Sequence, residues 1–209
     1  MSAIKDIRVN KFELKLADTD DPVAEKTCWD PLKSGGANFK TQDMVETKGR
    51  IVIKHSVTAL ILYSMFLLPG LGIFFIASPT LFIEGESGGG IAMAILGALF
   101  IGVSLLMLSS KKHMTFDKAS GTYFCGKSYN DSKRGDASRQ GRLSDIHALQ
   151  LIRESIRSNN RSYLSYELNL VFRNGERANV MDHGSELEIE ASAKQLAAYL
   201  DLPLWKASY

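Results

Sequence analysis

The sequence predicts an α+β membrane protein: a two-helix transmembrane hairpin and a cytoplasmic β domain closed by a C-terminal helix. Three observations carry that expectation. Two uncharged apolar stretches lie in tandem at Val57–Ser78 and Gly90–Ser109. Short alternating apolar runs separated by turn residues follow them, and an amphipathic helical pattern comes near the end.

At 1.5 Å rise per residue, about 20 apolar residues match the roughly 30 Å hydrocarbon thickness of a bilayer. Helices that are apolar all round for this length do not suit the surface of a soluble protein. All 25 Lys and Arg residues lie outside Val57–Ser109. The connecting turn, residues 79–89, carries only Glu84 and Glu86 as charges. Lys54 and His55 flank the first stretch, and Lys111, Lys112 and His113 follow the second. The excess of cations on the outer flanks predicts a multi-pass inner (plasma) membrane protein with both termini cytoplasmic. The first stretch is too long for the apolar region of a secretory signal and lacks a small-residue cleavage pattern. The chain thus reads as three successive regions: a segment 1–56, the hairpin 57–110, and the β domain 111–209.

Charge excludes one class of function. The first region has 10 cationic against 9 acidic residues and the last has 15 against 12, too balanced for binding driven by phosphate contacts. No nucleic acid is expected as a partner. Cys28 and Cys125 fall on the predicted cytoplasmic side, where they are expected as reduced thiols.

In the first region, Ile7/Val9 and Phe12/Leu14/Leu16 alternate with the period of a half-buried strand. Ala17–Lys26, with Asp18, Asp20, Asp21 and Pro22, reads as a loop. Cys28–Phe39 mixes Trp29 and Phe39 with Pro31, Gly35, Gly36 and Asn38 and has no regular pattern. Ile51, Val52 and Ile53 form an extended lead into the hairpin.

Within the hairpin, Pro69 removes a backbone donor and clashes with the preceding turn, which predicts a kink near Phe66–Pro69. In the second span Gly90, Ala94, Ala98 and Gly102 recur every four residues, a strip of small side chains that permits close helix contact. That strip can receive the first span, or it can pair with a second copy of the chain in a homo-oligomer.

Beyond the hairpin, Met114–Asp117 and Thr122–Gly126 read as strands joined by a turn at residues 118–121, followed by a polar loop, Lys127–Gly141. Leu143–Ile152 is nearly continuously apolar and reads as a buried strand. Tyr163–Arg173 alternates, placing Tyr166, Leu168, Leu170 and Phe172 on one face. Asn174-Gly175 is a strong hairpin signal leading to a strand at Ala178–Met181. Ser185 and Glu188 have capping-box spacing, and Ile189, Ala193, Leu196, Ala197 and Leu200 share one face of the helix that they would open. Pro203 lies just beyond its end.

Several antiparallel strands closed by one helix is the pleckstrin-homology-like plan. Phe116-Asp117-Lys118-x-x-Gly121, Leu143-Ser144-Asp145-Ile146, Tyr166–Phe172, Gly175-Glu176-Arg177 and Leu196-Ala197-x-x-Leu200 followed by Pro203-Leu204 resemble bacterial membrane proteins with such a cytoplasmic domain. In that order they also resemble the photosystem I assembly protein family, which places two spans before a domain of this kind. The resemblance rests on fold-determining residues, not on a catalytic signature, and implies architecture more than function.

The residues themselves offer little chemistry. His55, His113, His147 and His183 have no metal-binding spacing with each other or with the cysteines, so no metal or other cofactor is expected. No Gly-x-Ser-x-Gly elbow is present, and Ser34-Gly35-Gly36 lacks the ending of a phosphate loop. Lys127, Lys133, Arg134, Arg139 and Arg142 gather in one loop against Asp131 and Asp136, and near an anionic leaflet each cation contributes about 1 kcal/mol. These five are the candidate lipid or partner contacts. The expected function is a non-catalytic, membrane-anchored interaction or assembly module that docks a membrane or cytoplasmic protein at the bilayer. The alternatives are a lipid-responsive anchor and a small oligomeric channel or transporter accessory.

Overall fold

The structure is a computed structural model and describes residues 6–9, 12–15, 21–32, 40–110, 113–133, 136–158 and 161–206. The chain is α+β, with two long apolar helices and three β-sheets. It divides into two compact units. Residues 55–112 form a helical unit, while residues 1–54 and 113–209 together form a β unit. The first and last regions of the sequence therefore share one unit, and the helical hairpin is inserted into it.

The insertion point is an adjacent strand pair. Strand β3 (Gln42–Thr47) turns through Lys48 and Gly49, both at positive φ (51° and 72°), into β4 (Arg50–His55). After the helical unit the chain resumes as β5 (Met114–Asp117), which pairs antiparallel with β4. A turn leads to β6 (Thr122–Cys125), and β7 (Gln140–Arg142) completes a five-stranded sheet in the order β3-β4-β5-β6-β7. Residues 42–47 had no strand signal in the sequence.

The second sheet has the order β10-β9-β8-β11. Strand β8 (Ile146–Ser158) starts three residues later than the apolar run suggested, because Leu143–Asp145 forms a 3-10 turn. It pairs along its length with β9 (Arg161–Phe172), which turns at Asn174-Gly175 into β10 (Arg177–His183). Helix α5 (Glu186–Leu200) follows, ends at Asp201 in the left-handed conformation, and leads through Pro203 into β11 (Leu204–Lys206), parallel to β8. One core joins both sheets and the helix. Ile51, Ile53 and Phe116 meet Leu149, Leu168 and Leu170, with Ile189, Ala193 and Leu196 closing over them. Tyr199 ties α5 to the first sheet, donating to Gly49 O (2.7 Å) and accepting from Lys118 N–H (3.1 Å).

Two local readings are corrected. Ser185 occupies the N-cap of α5, but its side chain makes no capping bond. Its N–H instead donates to His183 Nδ1 (2.8 Å), and Glu188 turns to Lys40 (2.9 Å), so the capping box does not close. Within the stretch read as a loop, Asp21 accepts from Val23 N–H (2.9 Å) and Pro22 opens a short helix, α1 (Pro22–Lys26). An Asp followed by Pro is an N-cap and first-turn pair as readily as a turn. Strands β1 (Asp6–Val9) and β2 (Phe12–Lys15) pair with each other; the burial of their side chains and residues 33–39 of the irregular stretch lie outside the described residues.

The helical unit is a hairpin. Helix α2 (Val57–Gly72) continues through a π-helical turn (Ile73–Ala77) into α3 (Ser78–Ile83), and α4 (Ser87–Ser110) returns. Pro69 lies inside α2, and the π-helical turn begins four residues after it. Both arms are long and apolar enough to cross a membrane, and only 17% and 11% of their apolar windows are buried.

The contact face of α4 comprises Gly90, Ala94, Gly97, Ile101 and Ser104. A Cβ at Gly97 would lie 2.7 Å from the Phe74 nitrogen, and one at Gly90 would lie 2.8 Å from the Phe82 ring. Ala98 is exposed and a Cβ at Gly102 would meet nothing within 4 Å, so half of the four-residue strip faces away from α2 and α3. The reason is rotation: steps of four residues advance about 40° around a helix of 3.6 residues per turn, and the strip drifts off the contact line. Side chains bond across the hairpin at three levels. His55 Nε2 donates to Leu108 O (3.0 Å), Ser104 Oγ to Tyr63 O (3.0 Å), and Ser78 Oγ to Gly90 O (2.8 Å).

Candidate functional site

The polar loop is built from its base. Buried Gln140 accepts from Asn130 N–H (3.1 Å) and donates to Asn130 O (2.5 Å), drawing the two ends of the loop together. Tyr123 donates to Ala137 O (2.7 Å). Burial, reinforced by the negative charge of Asp145, pushes the Tyr123 hydroxyl far above its ordinary range, so it stays a donor. Asp136 accepts from Ser138 through both the amide and the hydroxyl.

This frame sorts the five candidate cations. Cys125 N–H donates to Arg139 O (2.6 Å), and Gly126 N–H donates to His113 O (3.0 Å), one residue before Lys127. Lys127 and Arg139 therefore belong to the end of the sheet where the chain leaves β4 for α2 and re-enters at His113. Arg142 does not join them; it pairs in register with Thr122 at the opposite end, beside Asp117 and Arg50. Lys127, Arg139 and Arg142 are exposed and enter no ion pair among the described residues. Lys133 closes a 3-10 turn (Asp131–Lys133), and its side chain and all of Arg134 lie outside the described residues.

A second constellation escaped the sequence reading. The alternation in β9 puts Glu167, Asn169 and Val171 opposite the core face. All three are buried, because residues 21–32 lie over them. Trp29 packs on Trp205 with ring centroids 6.0 Å apart, and Val23 and Ala24 cover Ala148 and Val171. Beneath this cover, Gln150 donates to Cys28 O (3.1 Å) and accepts from Arg177 (3.0 Å). Glu167 accepts from Leu32 N–H, 3.1 Å from each carboxylate oxygen, and from Asn169 Nδ2 (2.6 Å). Among the described residues Asn169 Oδ1 is buried without a partner. Burial, with nearby Asp182 adding to it, raises the Glu167 carboxyl above its usual range despite its donors. At the start of the cover Asp21 meets His147 at 2.6 Å. Burial works to raise the Asp21 carboxyl, but the His147 and Val23 hydrogen bonds outweigh it and hold the group low. The available signal was Trp29: a large aromatic in an otherwise irregular stretch has to pack on something.

Among the described residues, no three His, Cys, Asp or Glu side chains gather as a metal site. The arrangement offers hydrogen bonding and charge. Comparison with protein-family models, curated proteins and solved structures gave no match to this chain.

Proposed function

We propose that the chain is a non-catalytic, membrane-anchored interaction or assembly module. Its helical hairpin crosses the bilayer twice, and its β unit, pleckstrin-homology-like in plan, docks a protein partner on the cytoplasmic side. One observation carries the reading: an outwardly apolar hairpin is inserted between two neighbouring strands of one sheet. Ile61, Met65, Leu68, Ile76, Leu99 and Leu106 are exposed large apolar side chains on these helices, a surface suited to lipid rather than water. The two sheets sharing one core with a C-terminal helix support the domain reading. Alkaline carbonate extraction of membranes tests the anchor: the chain is expected to stay with the pellet, and its release would overturn the reading. Site-specific photocrosslinking from the β unit in intact cells tests docking, with a discrete adduct expected and its absence from every exposed face counting against a partner.

A specific observation favours a second reading, contact with anionic headgroups. Lys127 and Arg139 are exposed at the sheet end that continues into the hairpin, where Lys54 and His113 are exposed too. Exposed cations at that end of the sheet would be attracted by an anionic leaflet. In nanodiscs, amides of residues 126–140 are expected to exchange more slowly when anionic lipid is included, an effect lost in a Lys127→Glu, Arg139→Glu double variant. Equal exchange in neutral and anionic discs would reject it.

A further inference from the structure

The segment that covers the second sheet is attached through a cluster of its own, apart from the main core. It adds no strand to either sheet. Val23, Ala24 and Trp29 form an apolar cluster with Ala148, Val171 and Trp205 that is separate from the main core. Its polar attachments include the Asp21–His147 pair, the bond from Gln150 to Cys28 O and the bond from Leu32 N–H to Glu167. What it covers is not dry. Gln150, Glu167 and Asn169 are buried there, and the Asn169 carbonyl loses water without gaining a partner among the described residues. Removing this cover would leave the main core intact and would return water to three polar side chains.

We propose that Asp21–Leu32 is a releasable strap: it opens as a body while both sheets stay folded, and the Glu167 carboxyl is its latch. A satellite cluster with its own few contacts is the kind of unit that opens below the free energy of global unfolding. The groups facing Glu167 are Asn169 on its own strand, Asp182 and Arg177 on β10, and the Leu32 amide of the strap. Asp182 disfavours the ionised carboxylate, and Arg177 and the two donors favour it, with burial outweighing them. When the strap opens, Glu167 regains water and its ordinary acidity. Closure therefore takes up a proton, and opening becomes easier as pH rises through the raised value. At the other end the Asp21 carboxyl is held low, so it loses its charge only in acid, on the far side of the window.

Hydrogen exchange of the full chain in detergent, corrected for intrinsic rates, tests this. Between pH 5 and pH 8 the strap amides are expected to exchange at least about tenfold faster than those of Leu168–Val171 beneath them, with the ratio growing as pH rises. Glu167→Gln is expected to remove that pH dependence. A second measurement does not need that variant to fold. Ala148 is fully buried under the strap, and Ala148→Cys, in a chain carrying Cys28→Ser and Cys125→Ser, reports opening by thiol labelling. Labelling is expected well below the denaturant concentration that melts the sheets. Strap and β9 amides exchanging together, a pH dependence that survives Glu167→Gln, or labelling only within the global transition would each overturn the proposal.

Discussion

Ile53, the last core residue of β4, lies opposite Met114, the first residue of β5. Sixty residues of chain separate them, and most of those residues form the hairpin. The pairing makes the N-terminal segment part of the β unit's core: Ile51 and Ile53 are both fully buried. A truncated chain beginning at His113 would lack both, together with strands β3 and β4. It is expected to give no cooperative melting transition, whereas the full chain should. A sharp transition in the truncated chain would show that the pairing is dispensable.

Leu196, fully buried on α5, packs into the same core, while Lys194 points outward and pairs with Glu190 at 2.9 Å. Leu196→Ala is expected to destabilise the β unit by about 2–5 kcal/mol. An exposed i,i+4 pair contributes only about 0.3–0.5 kcal/mol, so Lys194→Ala should be nearly silent. Denaturant melts of the full chain in detergent compare the two directly.

The hairpin gives a test in which neighbouring residues have opposite outcomes. Gly97 abuts Phe74 and Ala98 faces outward, so Gly97→Leu is expected to splay the helices and speed proteolysis of the 84–86 turn. Ala98→Leu should leave it unchanged. The reverse order of sensitivity would place the contact line on the four-residue strip after all. Loss of a crosslinkable dimer in Ala98→Leu would assign the outward half of that strip to a second copy.

Much of this was legible. Alternation in Tyr166–Phe172, the Asn174-Gly175 turn and the face of Ile189, Ala193 and Leu196 are local signals, and each element stands where its signal lies. What the sequence concealed depends on partners distant along the chain. Strand β3 has no apolar run because only part of it is buried. The burial of Glu167 and Asn169 could not be read locally because the residues covering them lie about 140 positions earlier. Among the basic residues, spacing grouped Arg142 with Lys127 and Arg139, but the strand register sets it at the other end of the sheet.

Acid should weaken the attachment of α5 to β11. Hydrogen bonds from Lys206 (2.7 Å) and then Lys194 pull the Glu190 carboxyl down to about 2. Its contribution is fully present above the ordinary carboxyl value near 4.5 and is lost as pH falls from there through about 2. The melting temperature is expected to drop over that range, and Glu190→Gln should lower the plateau and flatten the drop. An acid limb of unchanged steepness would assign the loss to other carboxylates.

Topology has its own readout. In a chain without Cys28 and Cys125, an impermeant thiol reagent on intact cells should modify Ser87→Cys and spare Ser208→Cys. The opposite pattern would invert the proposed orientation.

The inserted hairpin also has a consequence for biosynthesis. Strand β4 leaves the ribosome before either span, and β5 leaves after both. If the first span crosses the bilayer and the second does not, these strands are stranded on opposite sides and Ile53 never meets Met114. On the proposed topology, the sheet can therefore close only on a chain whose two helices have both crossed, so folding of the β unit would depend on completed insertion of the hairpin.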